Sequence, residues 1–348
     1  MDGHGGGEHP LTRRQLDESD VRVRPGKGTR PRTKTRPAHD DAESATVVSV
    51  DRGRWGCVLD GPDRRRLVCM RARELGRTPI VVGDRVSVVG DLSGTTDTLA
   101  RIVKVEERST VLRRTADDTD PYERVVVANA SQLLIVTALA DPPPRTGFVE
   151  RALVAAYVGG LTPVLCLTKS DLAAPDSFAA AFADLDLPVV VAGRDDPLEP
   201  VVELLRGKLS ALIGHSGVGK STLVNRLVPE AHRATGAVSG VGKGRHTSTQ
   251  SVALELPGGG WVVDTPGIRS FGLAHVAADD IIDAFDDLRA AIAECPRGCT
   301  HLGPPSDPEC ALDSLQGHTY RRAMAARALL EAVLHSDPAP EEQPDDSV

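Results

Sequence analysis

Two rhythms of apolar residues divide the chain. Over residues 46–50, 55–59, 66–69, 85–89 and 100–105, short runs rich in β-branched residues recur, with turn signals between them at Asp60-Gly61-Pro62 and Gly83-Asp84. Five short strands in roughly 65 residues predict a small barrel of the OB-fold type. A second style begins near residue 113. Continuous apolar runs at 133–137 and 163–167 flank a helical spacing over 148–157, and further runs follow at 189–191, 209–213 and 261–263. Strands apolar on both faces, alternating with helices, predict a parallel sheet covered on both sides. Helices are expected over 279–293 and 319–334. Residues 1–42 and 336–348 show no periodicity and are expected to be disordered.

Charge refines this picture at the ends. The 348 residues carry a net charge of −8, yet residues 22–36 hold only basic charges and residues 341–346 only acidic ones. The basic block is either a solvated tail or an electrostatic arm for RNA. In the barrel, Arg64, Arg65, Arg66, Arg71 and Arg73 offer phosphate contacts or a solvated loop. No apolar run reaches the roughly 20 residues of a membrane span, and no signal-peptide core is present, so a cytoplasmic protein without a membrane partner is expected.

The chemistry centres on Gly214-His215-Ser216-Gly217-Val218-Gly219-Lys220-Ser221, a glycine, four residues, then Gly-Lys-Ser. It lies between an apolar strand and a helix that begins at Thr222, the context such a loop requires. Glycines let backbone N–H groups converge on phosphate oxygens, and the helix N-terminus adds its positive dipole end. Lys220 is expected on the β- and γ-phosphates and Ser221 on Mg²⁺. His215 is read as a solvent-facing filler.

Thr168-Lys169-Ser170-Asp171 follows the run ending at Leu167. It resembles the Asn-Lys-x-Asp motif, whose aspartate accepts from the guanine ring N–H and exocyclic amine. Adenine offers no such donor pair, so Asp171 favours GTP over ATP and disfavours an ATP-dependent kinase. Thr168 stands in place of asparagine and is expected to weaken the tie to the phosphate loop. Asp264-Thr265-Pro266-Gly267 suits an aspartate that reaches Mg²⁺ through water and a glycine N–H that senses the γ-phosphate. In the preceding loop, Gly244-Arg245-His246-Thr247-Ser248-Thr249, either Thr247 or Thr249 completes the Mg²⁺ shell.

The guanine motif precedes the phosphate loop, an order a parallel sheet tolerates if cut at one loop and rejoined elsewhere. With Gly-Arg-His-Thr-Ser-Thr and Asp-Thr-Pro-Gly-Ile-Arg-Ser-Phe-Gly-Leu, this permuted order resembles the ribosome small-subunit-dependent GTPases of the RsgA or YjeQ type, from about residue 43 to 335. The resemblance implies a multidomain α/β P-loop GTPase: an OB-fold RNA-binding barrel over 43–110, a circularly permuted GTPase domain over 111–275 and a helical zinc-binding domain over 276–335. It further implies a monomer that hydrolyses GTP to GDP under stimulation by the small ribosomal subunit and contacts 16S rRNA. The other reading is a GTP-switched RNA-binding or scaffold protein of another complex. The family's guanine-contact loop often reads Ser-Ala where this chain has Ala192-Gly193.

Ile268 follows Asp-Thr-Pro-Gly where many GTPases carry a water-orienting glutamine. Slow intrinsic turnover is therefore expected, with His246 as the candidate that orients water, a structural or RNA contact being its alternative. Of six cysteines, Cys57, Cys69 and Cys166 sit in apolar runs as core residues. Cys295, Cys299, His301 and Cys310 offer three thiolates and an imidazole, a closed shell for one structural Zn²⁺. Their gaps of three and eight residues (Cys295 to Cys299, His301 to Cys310) differ from the family's four and five. Arg321, Arg322 and Arg327 on the last helix are read as an RNA-facing or solvated face.

Overall fold

The computed structural model describes residues 39–95, 97–114, 124–229, 251–265, 273 and 276–334. Of the two stretches expected to be disordered, residues 1–38, which include the basic block, and 336–348 lie outside the described residues, as does the whole loop from Gly244 to Thr249.

Five strands close a barrel: β1 (Glu43–Asp51), β2 (Arg54–Leu59), β3 (Arg66–Arg71), β4 (Arg85–Gly90) and β5 (Ala100–Val105). Pairing runs β1-β2-β3-β5-β4 and returns to β1 through Glu43 opposite Val88, so the barrel has no open edge. The β1–β2 hairpin turns on Arg52-Gly53, both at positive φ, a two-residue turn whose twist matches the strands. Alternate residues point inward: Val47, Trp55, Cys57, Leu67, Cys69, Val88 and Ile102 pack together, and the Trp55 indole N–H donates to the Ile80 carbonyl at 3.1 Å.

An antiparallel pair of short strands, β6 (Val111–Arg114) and β7 (Arg124–Ala128), too short to show in the apolar pattern, leads into the second body. There β8 (Gln132–Ala138), β9 (Thr162–Thr168), β10 (Val189–Val191), β11 (Leu209–Ile213) and β13 (Trp261–Asp264) run parallel in the order β10-β9-β8-β11-β13. An antiparallel strand, β12 (Val252–Glu255), forms a hairpin with β13 and touches barrel strand β1 at Ser49. Alternation splits the sheet's side chains between two cores. Leu133, Ile135, Leu165, Leu167 and Ile213 face α1 (Thr146–Val158), whereas Leu134, Val136, Val164, Cys166 and Leu212 face α3 (Glu199–Leu205) and α4 (Lys220–Leu227). Short α2 (Asp176–Ala180) lies between β9 and β10. The sheet covered on both faces is the one the apolar runs predict.

The C-terminal part holds α5 (Ala278–Ile282), α6 (Asp286–Ile292) and α7 (Gly317–Leu334). The single helix expected over 279–293 is broken, because Phe285 leaves helical backbone (φ −113°, ψ 109°) and puts its ring 4.9 Å from that of Tyr157 on α1. Burying that aromatic surface offsets the hydrogen bonds lost at the break. Among the described residues, no helix is long and apolar enough to cross a membrane.

Candidate functional site

Parallel strands bring their carboxyl ends to one edge, and there the separated motifs meet. Strand order reverses between β8 and β11, since β9 lies on one side of β8 and β11 on the other. Such a reversal leaves a crevice at the carboxyl ends. The phosphate-type loop leaves β11 into it. Gly217 and Gly219 adopt φ of +78° and +91°, which side chains with a Cβ rarely take. At Gly214 the constraint is proximity instead, because a Cβ there would sit 2.6 Å from the Val136 carbonyl of β8. Helix α4 begins at Lys220, with Ser221 and Thr222 exposed in its first turn. His215 is not the solvent-facing filler expected: it is half-buried, its ring 4.1 Å from that of Phe148. Contact with that apolar ring, at an interplanar angle of 49°, outweighs full hydration of the imidazole.

Lys220 Nζ forms an ion pair with Asp264 Oδ1 at the end of β13, joining the phosphate-type loop to the Asp-x-x-Gly motif. The next residue, Thr265, is buried and donates its hydroxyl to the Leu212 carbonyl. Gly267 and Ile268, together with His246, Thr247 and Thr249, lie outside the described residues.

The Thr168-Lys169-Ser170-Asp171 loop leaves β9 at the same edge. Thr168, 4% exposed, donates its hydroxyl to the Val218 carbonyl at 2.5 Å and lies 3.3 Å from the Thr137 carbonyl. Although threonine is shorter than asparagine, its side chain still reaches that loop's backbone. Lys169 takes left-handed backbone (φ +56°) and its ammonium donates to the Asp141 carbonyl in the β8–α1 loop. Asp171 is exposed beside this crevice. A third loop, after β10, joins the group: Ser170 Oγ donates to Asp196 Oδ2 at 2.5 Å, and the Gly193 N–H donates to the same oxygen at 2.8 Å. Nothing in the spacing of the sequence signals Asp196 or its partner Arg226.

In the C-terminal part, the ligand atoms of Cys295, Cys299, His301 and Cys310 all lie within 4.8 Å of one another, a set that could hold a metal ion. His301 Nδ1 faces Cys295 Sγ at 3.6 Å and Cys310 Sγ at 3.9 Å, while Nε2 meets Asp279 Oδ1 at 2.9 Å. A carboxylate on the far nitrogen fixes which nitrogen is offered to a metal. Burial, more than the neighbouring thiols, pushes the Cys299 thiol up to about 12, and Cys295 is raised by the same cause. Several thiols so placed ionise together only against a cation. The long gap before Cys310 is a folded loop: Asp307 accepts from the Thr300 N–H (3.1 Å), the Thr300 hydroxyl (2.5 Å) and the Leu302 N–H (3.1 Å).

Arg322 and Arg327 on α7 serve this architecture rather than a solvated face, whereas Arg321 is exposed. Arg327 is 8% exposed and donates to the His301 carbonyl at 2.7 Å and to Asp313 at 2.6 Å. Arg322 pairs with Asp186 and, at 2.7 Å, with Asp287, and Arg321 reaches Asp184 at 2.9 Å. On the barrel, exposed Arg64 and Arg66 flank the Trp261 ring at 5.7 and 5.8 Å and pair with Glu255, so part of the expected phosphate-contact set braces the β12–β13 hairpin.

Known proteins resemble this chain. A family model described as RsgA GTPase matches residues 105–274. A Chlorobaculum parvum protein named small ribosomal subunit biogenesis GTPase RsgA is 37% identical over 248 residues, which cover 68% of this chain and 79% of that protein. One of the same name from Gemmatimonas aurantiaca is 36% identical over 244 residues, 68% of this chain and 78% of its own. The crystal structure of YjeQ from Thermotoga maritima aligns with a TM-score of 0.61 at 25% identity, covering 85% of this chain and 100% of that one. YloQ, described as a circularly permuted GTPase, aligns at 0.59 and 21% identity over 87% and 99% of the two chains, a likeness of fold.

Proposed function

The chain belongs to the RsgA GTPase family, and from that premise we propose that it acts in late maturation of the small ribosomal subunit, hydrolysing GTP to GDP when bound there. The observation that carries the reading is the convergence of Thr168, Val218, Lys220 and Asp264 at one sheet edge, although the guanine motif lies upstream of the phosphate loop. The name these relatives carry, small ribosomal subunit biogenesis GTPase, supplies the ribosomal context.

In this reading GTP lies with its base against Lys169 and Asp171 and its phosphates in the backbone cradle of Gly214 to Gly219. The Asp171 carboxylate accepts from the guanine ring N–H and amine. Lys220, now paired with Asp264, exchanges that carboxylate for the β- and γ-phosphate oxygens. The donor set fits Mg²⁺: an exposed Ser221 hydroxyl in the first turn of α4, and a carboxylate in Asp264 already engaged with the phosphate-loop lysine. When bound, Mg²⁺ would neutralise charge developing on the phosphate oxygens, held by Ser221, by Thr247 or Thr249, and by Asp264 through water. The Gly267 N–H senses the γ-phosphate. Ile268 cannot hydrogen-bond the attacking water, so His246 takes the role of orienting it.

The closed Cys295, Cys299, His301, Cys310 set fits one structural Zn²⁺, with the Asp279 carboxylate steadying the imidazole. We assign the barrel, residues 43–110, and the basic arm to 16S rRNA contacts, residues 111–275 to the GTPase domain and residues 276–335 to the zinc domain of a cytoplasmic monomer. GTP turnover measured with and without purified small subunits tests the reading. Co-sedimentation with small subunits and a rise in turnover on adding them are expected, and His246→Ala should lose most of that rise while keeping GDP affinity. Absence of both co-sedimentation and stimulation overturns the ribosomal assignment, and unchanged turnover in His246→Ala removes the role of His246.

A further inference from the structure

A base-reading aspartate selects only if its loop is held still, and Asp171 sits exposed on a short loop between strand β9 and helix α2. Thr168 anchors the start of that loop to the phosphate loop, but it lies three residues before Asp171. The residue next to Asp171, Ser170, is anchored differently. Its hydroxyl donates to Asp196 at 2.5 Å, and the same carboxylate oxygen accepts the Gly193 N–H at 2.8 Å, so one atom joins the loops after β9 and β10. The opposite side of the β10 loop is fixed from α4. Arg226, in the last turn of the helix that follows the phosphate loop, donates through Nη1 to the Gly193 carbonyl and through Nη2 to the Asp196 carbonyl, each at 2.6 Å. The guanidinium fork suits two acceptors held side by side, a geometry a lysine lacks.

Glycine at position 193 is required by this arrangement. A Cβ there would stand 2.1 Å from Ser170 Oγ and 2.8 Å from Asp196 Oδ2, closer than real Cβ atoms come. The Ala192-Gly193 pair therefore belongs with Ser170: the space an alanine would fill is taken by the serine hydroxyl. The Asp196 carboxyl is held below the ordinary aspartate range, first by the Ser170 hydroxyl and then by the Gly193 N–H, in keeping with an ionised acceptor.

We propose that Ser170, Asp196 and Arg226 are positioning residues for base selection, a bracket that holds the Asp171 loop in register with the phosphate-binding helix so that base and phosphates are recognised as one unit. The inference rests on the guanine-nucleotide reading above. None of the three is assigned a contact with the nucleotide; each acts by fixing the loops that do.

The bracket predicts an effect confined to the base. With full-length protein, affinities for GDP, for inosine diphosphate (which lacks the 2-amino group) and for inorganic tripolyphosphate are measured by competition against a fluorescent GDP. Ser170→Ala, Asp196→Ala and Arg226→Ala should each weaken GDP binding about tenfold, the scale of a lost charge-assisted hydrogen bond. The GDP to inosine diphosphate ratio should narrow while tripolyphosphate affinity stays unchanged. Gly193→Ala should do the same by steric displacement, with every bracket hydrogen-bonding group retained. Ser170→Ala removes one oxygen from a partly exposed side chain, so it reports even if another variant folds poorly. Loss of tripolyphosphate affinity in parallel with GDP in Ser170→Ala would assign the residue to general loop stability and overturn the proposal. Unchanged GDP affinity and discrimination in Ser170→Ala and Asp196→Ala would overturn it as well. A wild-type protein that binds ADP as tightly as GDP would instead remove the guanine reading beneath it.

Discussion

The Thr168 hydroxyl donates to the Val218 carbonyl across 2.5 Å, joining the end of β9 to the loop after β11 although 50 residues separate them. The donor is buried, so its loss leaves the Val218 carbonyl facing a methyl group. Leaving a buried acceptor unpaired costs about 1–3 kcal/mol. Thr168→Val, which keeps the shape and removes the hydroxyl, should weaken GDP binding roughly ten- to hundredfold, whereas Thr168→Ser should stay within about threefold. Titration with fluorescent GDP distinguishes them; equal affinities for wild type and Thr168→Val would remove this contact from the account.

Between barrel and sheet, Asp84 is fully buried and accepts from Arg108 at 2.7 and 2.9 Å and from the Val81 N–H at 2.8 Å. Arg108 also donates to the Pro79 carbonyl at 2.9 Å. The Asp84→Ala substitution strands a largely buried guanidinium and should destabilise the protein by about 3 kcal/mol. Replacing both partners, Asp84→Leu with Arg108→Met, should cost less than Asp84→Ala, because no charge is left unpaired. Denaturant unfolding of the set gives the comparison, and equal losses would show that the pair holds no special place.

The cysteine cluster makes metal loading depend on pH with a definite sign. Burial raises the Cys295 and Cys299 thiols, so loading at neutral pH must release protons, and affinity should fall as pH falls. Calorimetric titration with zinc in buffers of different ionisation heat counts those protons; a count near zero contradicts thiolate ligation.

Two side chains outside the cluster should govern metal retention. Asp279→Asn weakens the carboxylate on the His301 ring and should lower zinc affinity about tenfold, the low end for such partners because Asp279 is exposed. Arg327→Ala releases the His301 carbonyl and Asp313 together and should speed zinc loss to a chelator. Unchanged affinity in Asp279→Asn with unchanged release in Arg327→Ala would show the ligands to be self-sufficient.

What the sequence made legible follows from how each feature is encoded. Strands β8, β9, β11 and β13 are continuous apolar runs because both sheet faces are covered, and the phosphate and cysteine motifs are local spacings. Strand β12 and the β6–β7 pair were not legible because runs of only four or five residues, with charges at their ends, are too short for a periodic signature. Phe285 is apolar in either reading, so only its contact with Tyr157 reveals that it breaks the helix. Arg322 and Arg327 looked like surface because charge on a helix is commonly solvated, whereas their acceptors lie 14 to 136 residues away. The Ser170, Asp196 and Arg226 bracket likewise joins three segments with no shared motif.

The central claim, that Asp171 and the phosphate loop enclose one guanine nucleotide, is tested most directly by exchanging the base that Asp171 reads. Xanthine carries a carbonyl where guanine has its exocyclic amine, so a side-chain amide at this position pairs with xanthine and not with guanine. Binding of GDP and xanthosine diphosphate to wild type and Asp171→Asn is the measurement. The account predicts that Asp171→Asn loses about a hundredfold or more in GDP affinity and gains xanthosine diphosphate binding; GDP affinity retained in Asp171→Asn, with no gain for xanthosine diphosphate, would contradict it.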